Sequence, residues 1–132
     1  MKPLVSILLT VYEVNPDFLK ECLESILNQT YDNVEILVID DCSPNTDYKF
    51  IKKISPKIKL IRNRVNLGMQ KSLNKLFKYV SGDYVLRLGA DDLFDPTLIE
   101  KEVKLLEYNP AYGAICCMLQ RFGIIQKKLK RI

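Results

Sequence analysis

Histidine and tryptophan are absent from this 132-residue chain, and it has only five glycines. Without histidine no Ser-His-Asp triad can be assembled. The four cysteines, Cys22, Cys42, Cys116 and Cys117, include no C-x-x-C pair, so a zinc site is not expected. They read instead as small buried hydrophobes of a reducing cytosol. The turn after the first apolar run, Thr10-Val11-Tyr12-Glu13-Val14-Asn15-Pro16, contains no glycine. A dinucleotide fold needs glycine there so that backbone can approach a pyrophosphate, and a P-loop needs a glycine-rich turn followed by Lys-Ser/Thr. Long apolar runs are missing too. The longest, Leu4 to Val11, is interrupted by Ser6 and Thr10 and falls far short of the roughly 20 residues that span a bilayer. Met1-Lys2-Pro3 leads straight into that run, which is not the pattern of a secretory leader.

What is present is an ordinary globular composition, 48% hydrophobic and 27% charged. This excludes a disordered chain, a collagen-like repeat and a disulfide miniprotein. A chain of this size buries about two-thirds of its unfolded surface, enough for one core. The net charge of +4 is unevenly placed. Arg121, Lys127, Lys128, Lys130 and Arg131 stand in residues 121–132 with no acid among them, and the remainder is near neutral. The chain therefore divides into a domain, 1–120, and a basic C-terminal tail, 121–132. Such a tail is either a solvated chain end or a contact for an anionic surface.

Apolar periodicity sets the order of elements. Leu4 to Tyr12 is a buried strand. Pro16 opens a helix whose apolar face is Phe18, Leu19, Cys22, Leu23, Ile26 and Leu27. Val34 to Ile39 is a second strand, closed by Asp40-Asp41. Ser43-Pro44 reads as a cap and first turn of a short helix to about Ile54. Lys57 to Ile61 is a third strand, and Asn66-Leu67-Gly68 a turn. Leu73, Leu76, Phe77 and Val80 mark the next helix, Tyr84 to Leu88 the fourth strand, and Asp95-Pro96 the start of a helix with Ile99, Val103 and Leu106 inward. Tyr112 to Leu119 is expected as a fifth strand. Alternating strands and helices give an α/β fold, a mostly parallel sheet with helices on both faces. Ligands of such sheets bind beyond the carboxyl ends of the strands. Polar clusters fall at those ends: Thr10 to Glu13, Asp40-Asp41 and Asp91-Asp92.

Chemically these clusters offer carboxylates and an aromatic ring. A carboxylate accepts hydrogen bonds from a base edge or ribose, and a tyrosine stacks on a base. Another carboxylate holds Mg²⁺ or Mn²⁺, whose remaining ligands come from a diphosphate and water. Each acid pair is equally suited to cap a helix in a solvated loop, and Tyr12 to cover a sheet edge. Cys42 has no histidine or other base to activate it as a nucleophile.

The run Val5-Ser6-Ile7-Leu8-Leu9-Thr10-Val11-Tyr12 resembles the opening of family 2 glycosyltransferases of the GT-A fold. Cys22-Leu23-Glu24-Ser25-Ile26-Leu27-Asn28-Gln29-Thr30-Tyr31 and Val34 to Ser43 resemble the family's next segments. Asn66-Leu67-Gly68, Gly82-Asp83-Tyr84 and Arg87-Leu88-Gly89-Ala90-Asp91-Asp92 follow in the family's order, so the resemblance covers residues 3 to about 115. It implies the Rossmann-like nucleotide-binding half of a GT-A enzyme, which moves a sugar from a nucleotide-sugar, usually UDP-linked, to an acceptor hydroxyl with Mn²⁺ or Mg²⁺. By matching position, Thr10 and Tyr12 line the base pocket, Asp41 binds the base with Asp40 in support, and Asp91 is the metal ligand with Asp92 beside it. Arg87 matches a frequent family arginine without an assigned role.

The sequence departs from the family pattern in identifiable places. Gly89 stands where the acidic motif usually begins with aspartate, which predicts weaker metal dependence or donor binding. Glu13 stands where asparagine is common. After Asp92 the acids are Asp95, Glu100, Glu102 and Glu107, at or in a helix, and none is a convincing general base. The chain thus reads as a donor-binding half, an excised piece or a natural truncation, expected to self-associate through an unpaired sheet edge or apolar face, with Cys116 to Leu119 and Phe122 to Ile125 apolar enough to seek a partner. The expected setting is cytoplasmic, in a cell-envelope polysaccharide pathway, with the tail able to touch the membrane's inner face. Two other readings compete: a non-catalytic nucleotide-binding or interaction module of the same fold, and a receiver-like Mg²⁺-binding signalling domain. The second is disfavoured because a full strand and helix precede Asp40-Asp41, and Gln120-Arg121 stands where a receiver needs lysine.

Overall fold

The computed structural model describes residues 2–117, 119–121 and 127–128. Two compact units divide at Glu100. The first contains a parallel sheet of β1 (Val5–Val11), β2 (Val34–Asp40), β3 (Ile58–Arg62) and β4 (Tyr84–Arg87), in the order β3-β2-β1-β4. Val5 pairs with both Val34 and Tyr84, so β1 lies in the middle of the register. The central strands are buried on both faces, Ile7, Leu8, Leu9, Ile36, Val38 and Ile39 being fully inaccessible. This is why they read as unbroken apolar runs rather than alternating ones.

Helix α1 (Pro16–Leu27) begins where expected. The Asn15 side chain accepts the Asp17 N–H at 2.8 Å, and Pro16 takes the first helical position. Leu19, Cys22, Leu23 and Ile26 form its buried stripe. Helix α2 (Met69–Leu76) packs Leu76 onto Leu8, Leu37 and Ile39, with Ile61, Leu73 and Val80 around them. Burial of each such side chain stabilises the unit by roughly 1.5–3 kcal/mol. The chain moves from β1 to β2 to β3 in one direction, then crosses back to β4 on the far side of β1. Right-handed crossovers consequently place α1 and α2 on opposite faces. They also put the reversal of strand order between β1 and β4, where a crevice opens at the carboxyl ends.

At the other end of the strands, Ser6 and Glu35 are hydrogen bonded side chain to side chain. Glu35 also accepts the N–H and hydroxyl of Ser81, each at 2.9 Å, and the Gly82 N–H reaches Ser6 Oγ at 2.9 Å. Gly82 is required by this close approach, because a β-carbon there would lie 2.7 Å from the Leu4 carbonyl oxygen and from the Ser6 nitrogen.

Three expectations are corrected. No helix begins at Ser43-Pro44; the segment runs as a loop to a 3₁₀ turn at Lys49–Lys53. The Ser43 hydroxyl is taken by the Glu13 N–H and its carbonyl by Arg62, so neither serves a helix start. Helix α2 stops at Leu76 and tightens into a 3₁₀ turn, Phe77–Tyr79, leaving Val80 extended beside the α2 core. The strand expected over Tyr112 to Leu119 is not formed by its described residues. β-Propensity expresses fit against a neighbouring strand, and no described strand pairs with this segment.

The second unit contains most of α3 (Leu98–Tyr108) and, further along, the two-residue strands β5 (Gln120–Arg121) and β6 (Lys127–Lys128), which pair antiparallel. Part of the expected basic tail is therefore paired, and the rest lies outside the described residues. Cys116 and Cys117 are exposed rather than buried, while Cys22 is buried as expected. No helix among the described residues is long and apolar enough to cross a membrane.

Candidate functional site

The end of β1 leads into a strained turn. Thr10 is half-buried, Tyr12 is 50% exposed, and Glu13 sits at φ 51°. That left-handed conformation is tolerated better by asparagine than by glutamate. Here hydrogen bonds hold it: the Glu13 N–H donates to Ser43 Oγ at 3.0 Å, and its carboxylate accepts the Asn45 N–H and side-chain amide at 3.1 and 3.0 Å. The Asn45 contacts keep the Glu13 carboxyl below its ordinary pKa. The Tyr12 ring is thus presented to solvent by a turn that is locked on its far side.

The two acids at the end of β2 are both buried and both engaged. Asp40 accepts Arg62 Nη1 at 2.6 Å and the Ser43 N–H at 2.9 Å. Asp41 Oδ1 accepts Asn63 Nδ2, Ser72 Oγ and the Leu67 N–H, all at 2.8 Å, and Oδ2 accepts the Gly68 N–H at 2.8 Å. Burial acts to raise the Asp41 pKa, but the bonds from Leu67, Asn63, Ser72 and Gly68 outweigh it, so the carboxyl titrates below its ordinary value. Asp41 therefore anchors the Asn66-Leu67-Gly68 turn to the strand end. Nothing local in sequence signals this, because Asn63 and Ser72 become partners only once β3 and α2 are in place.

Asp91 and Asp92 follow β4 and are exposed. Their carboxylates converge over Gly89. A β-carbon at that position would meet Asp92 Oδ2 at 2.5 Å and Asp91 Oδ1 at 3.3 Å. Such hard, exposed oxygen donors suit Mg²⁺ or Mn²⁺, which bind through one or two carboxylates and keep their other positions for phosphate and water. A cluster of three or more ligating side chains is absent among the described residues. Arg87, on the strand leading in, places Nη2 3.0 Å from Met69 Sδ.

Beneath this loop lie Cys22 and Ser25 of α1 and Gln29 just past the helix end. Cys22 Sγ is 3.6 Å from the Gly89 carbonyl oxygen. Burial, then the charges of Asp92 and Asp91, push its thiol up to about 12, so it stays protonated and able to donate. Ser25 Oγ accepts the Phe94 N–H at 3.2 Å. Gln29 donates to the Asp95 carbonyl at 2.7 Å and accepts the Ile99 N–H at 3.2 Å. The available signal is the spacing of Cys22 and Ser25, which share one side of α1, with Gln29 following two residues past the helix end.

Topology brings the expected residues to one edge of the sheet. Tyr12 and the Asp91-Asp92 loop flank the β1–β4 crevice, and Asp40-Asp41 ends the strand on the other side of β1. An open depression of about 350 Å³ is lined by Ser43, Pro44, Asn45, Thr46, Asp47, Lys49 and Arg62; none of the expected site residues lines it, although Ser43 and Arg62 are hydrogen bonded to Asp40.

A four-stranded parallel sheet reversing beside β1, with acids at its carboxyl edge, has the architecture of GT-A glycosyltransferases. The mannosyltransferase PcManGT from Pyrobaculum calidifontis, solved in complex with GDP-Man and Mn²⁺, superposes with a TM-score of 0.81 at 23% identity, over 92% of this chain and 36% of that one. TarS 1–349 of S. aureus in complex with UDP superposes with a TM-score of 0.73 at 23% identity, over 81% of this chain and 33% of that one. Residues 6–131 match the profile of Glycosyl transferase family 2, and the chain belongs to that family. An uncharacterized glycosyltransferase of Haemophilus influenzae is 42% identical over 121 residues, 89% of this chain and 37% of its own length. The UDP-Glc:alpha-D-GlcNAc-diphosphoundecaprenol beta-1,3-glucosyltransferase WfgD of Escherichia coli is 33% identical over 107 residues, 80% of this chain and 42% of its own. The chain spans less than half the length of these relatives.

Proposed function

We propose that this chain forms the donor-binding part of a glycosyltransferase that moves a sugar from a nucleoside-diphosphate sugar, UDP-linked, to an acceptor hydroxyl. The observation that carries this reading is the placement of an exposed Tyr12 and the converging Asp91 and Asp92 carboxylates on either side of the β1–β4 crevice. Tyr12 supplies a face for the base, and Thr10 lies at the foot of the same turn. Asp41 holds the 66–68 turn. Its Oδ2 accepts only the Gly68 N–H among the bonds found in the described residues, which leaves capacity for one base N–H. Asp40 supports it by fixing Ser43 and Arg62.

Asp91, with Asp92 beside it, would hold Mn²⁺ or Mg²⁺. When bound, the cation neutralises charge on the departing diphosphate. The chain's own contribution is to fix where those carboxylates stand and to orient the nucleoside against β1. Asp95 and Glu100 are absorbed into the frame, Asp95 accepting the Thr97 N–H and hydroxyl and Glu100 accepting Thr30 Oγ1, so the acceptor's proton is not assigned to either. The complexes of the structural neighbours, GDP-Man for one and UDP for the other, support a nucleoside diphosphate as the class of ligand.

Gly89 favours a second reading, a nucleotide-binding module without transfer activity, because it leaves the acidic motif one carboxylate short. Calorimetric titration with UDP and GDP, with and without Mn²⁺, tests the site. Binding strengthened by Mn²⁺ and lost in Asp91→Ala supports the donor-site reading. Absence of binding to either nucleotide overturns it. Transfer from UDP-sugars by this chain joined to the remainder of a relative separates enzyme from module.

A further inference from the structure

We propose that Cys22 and Ser25 on α1, with Gln29 and Thr30 in the segment just after it, form the positioning element for the loop that carries Asp91 and Asp92. This rests on the donor-site reading above. Residues 88–97 contain no helix or strand, and the bonds from Asp92 N–H to the Gly89 carbonyl, Leu98 N–H to the Asp95 carbonyl and Leu88 N–H to the Leu8 carbonyl satisfy only some of their backbone groups. Helix α1 and the segment that follows it supply further partners in sequence order. Cys22 Sγ takes the Gly89 carbonyl at 3.6 Å, Ser25 Oγ the Phe94 N–H at 3.2 Å, and Gln29 Nε2 the Asp95 carbonyl at 2.7 Å. The Thr30 N–H takes the Pro96 carbonyl at 2.9 Å, and Gln29 Oε1 takes the Ile99 N–H at 3.2 Å. Gln29 is 8% exposed and also donates to the Ser25 carbonyl at 3.1 Å, which fixes its amide orientation.

The contacts run to the loop's main chain and bracket the acidic pair on both sides. The loop has a reason to move without them. Asp91 and Asp92 both crowd the space above Gly89, and like charges so placed repel one another. With only two carboxylates to offer, the site depends on their being held in place. Ligand groups generally have to stay within about 0.5 Å of their working positions, and it is the surrounding shell that keeps them there. Cys22, Ser25 and Gln29 act on the cation through this loop and do not touch it.

The test uses Ser25→Ala, Ser25→Thr and Gln29→Leu in the full chain. UDP affinity is measured with and without Mn²⁺, and amide hydrogen exchange is followed across the sheet and the 89–99 loop. The expected result is loss of about tenfold in the Mn²⁺-dependent gain for Ser25→Ala and Gln29→Leu, the scale on which supporting residues affect metal sites. Metal-free UDP affinity stays within about twofold, Ser25→Thr restores the gain, and exchange accelerates at Phe94 and Ile99 but not in β1 or β2. Equal losses with and without Mn²⁺ overturn the proposal, as does unchanged exchange in the loop. If the unaltered chain shows no Mn²⁺-dependent gain, the donor-site reading fails. The exchange data then decide the anchoring alone, selective acceleration supporting it and its absence overturning it.

Discussion

The Gly68 N–H donates to Asp41 Oδ2 at 2.8 Å, so the carboxylate just past β2 holds the N-cap residue of α2, whose first residue, Met69, lies 28 positions further on. Gly68 stands at φ 81° and has no side chain with which to cap α2 itself. Asp41 fixes the turn that leads into the helix and gathers Leu67, Asn63 and Ser72 onto the same group. Asp41→Asn turns one acceptor oxygen into a donor facing these donors. We expect a loss of about 3 kcal/mol at pH 7, the scale for breaking bonds to a buried charged group. The carboxyl titrates lower in the folded chain than in the unfolded one, where it is near 3.9. Its stabilisation is therefore complete above about pH 4 and is lost as pH falls through the lower folded value. Urea unfolding of both chains at pH 7 and pH 3 checks this, and the difference between them should narrow at the lower pH.

Gly89→Asp should strengthen cation binding. The atom that obstructs a side chain at position 89 most closely is Asp92 Oδ2, the far end of a flexible side chain, and Gly89 has no positive φ to forbid substitution. The new carboxylate adds a hard ligand and a third negative charge. We expect thermal stability to fall slightly without metal and to recover with Mn²⁺, with Mn²⁺ affinity about tenfold tighter. A thermal shift series against Mn²⁺ concentration reads both.

Tyr12→Ala and Tyr12→Phe separate the ring from its hydroxyl. The side chain is half exposed, so truncation should leave stability within about 0.5 kcal/mol. UDP affinity should fall about tenfold in the alanine variant and hold in the phenylalanine variant, since stacking on a base contributes about 1–3 kcal/mol. Equal loss in both would assign the effect to the hydroxyl.

Gly82→Ala should destabilise the chain by about 1–3 kcal/mol, the usual effect of overpacking. The contacts it would make are with main-chain atoms of Leu4 and Ser6 as well as Ser6 Oγ, so little can give way. Chemical denaturation measures it, and a change below about 0.5 kcal/mol would show that the β1–β4 junction is more yielding than its geometry indicates.

Strand β4 pairs with β1 alone among the described residues, and Val85 on it is 43% exposed. The expected self-association is thus tested at Val85→Lys, a charge of the kind that blunts sheet edges. Light scattering across a concentration series should show larger species for the unaltered chain and fewer for the variant.

The sheet was legible because β1 and β2 are buried on both faces, which leaves long branched-chain runs with no polar alternation. Helix α1 was legible because its start is encoded locally, in Asn15 and Pro16. The segment at Ser43-Pro44 misled for the opposite reason: serine before proline is a local helix signal, but Glu13 and Arg62, distant in sequence, claim the serine's hydroxyl and carbonyl. At the site, the acids could be found from their place after apolar runs. The engagement of Asp41 could not, since its partners come from β3, the 66–68 turn and α2. The role of Gln29 is not legible within its motif, because its hydrogen bonds go to backbone that sequence does not display.

Val5 pairs with Tyr84 across the reversal that opens the crevice, so the site joins the first strand to the last strand of the sheet. Non-local pairings of this kind form late, after the loop between them has been closed at an entropic cost. On the proposed donor site, neither strand alone would hold a nucleotide as the pair would. A chain synthesised from its N-terminus would then stay ligand-free until β4 had emerged and docked. Nucleotide binding would then report completed folding of the first unit, and the donor itself would favour the closed sheet over every partly assembled form.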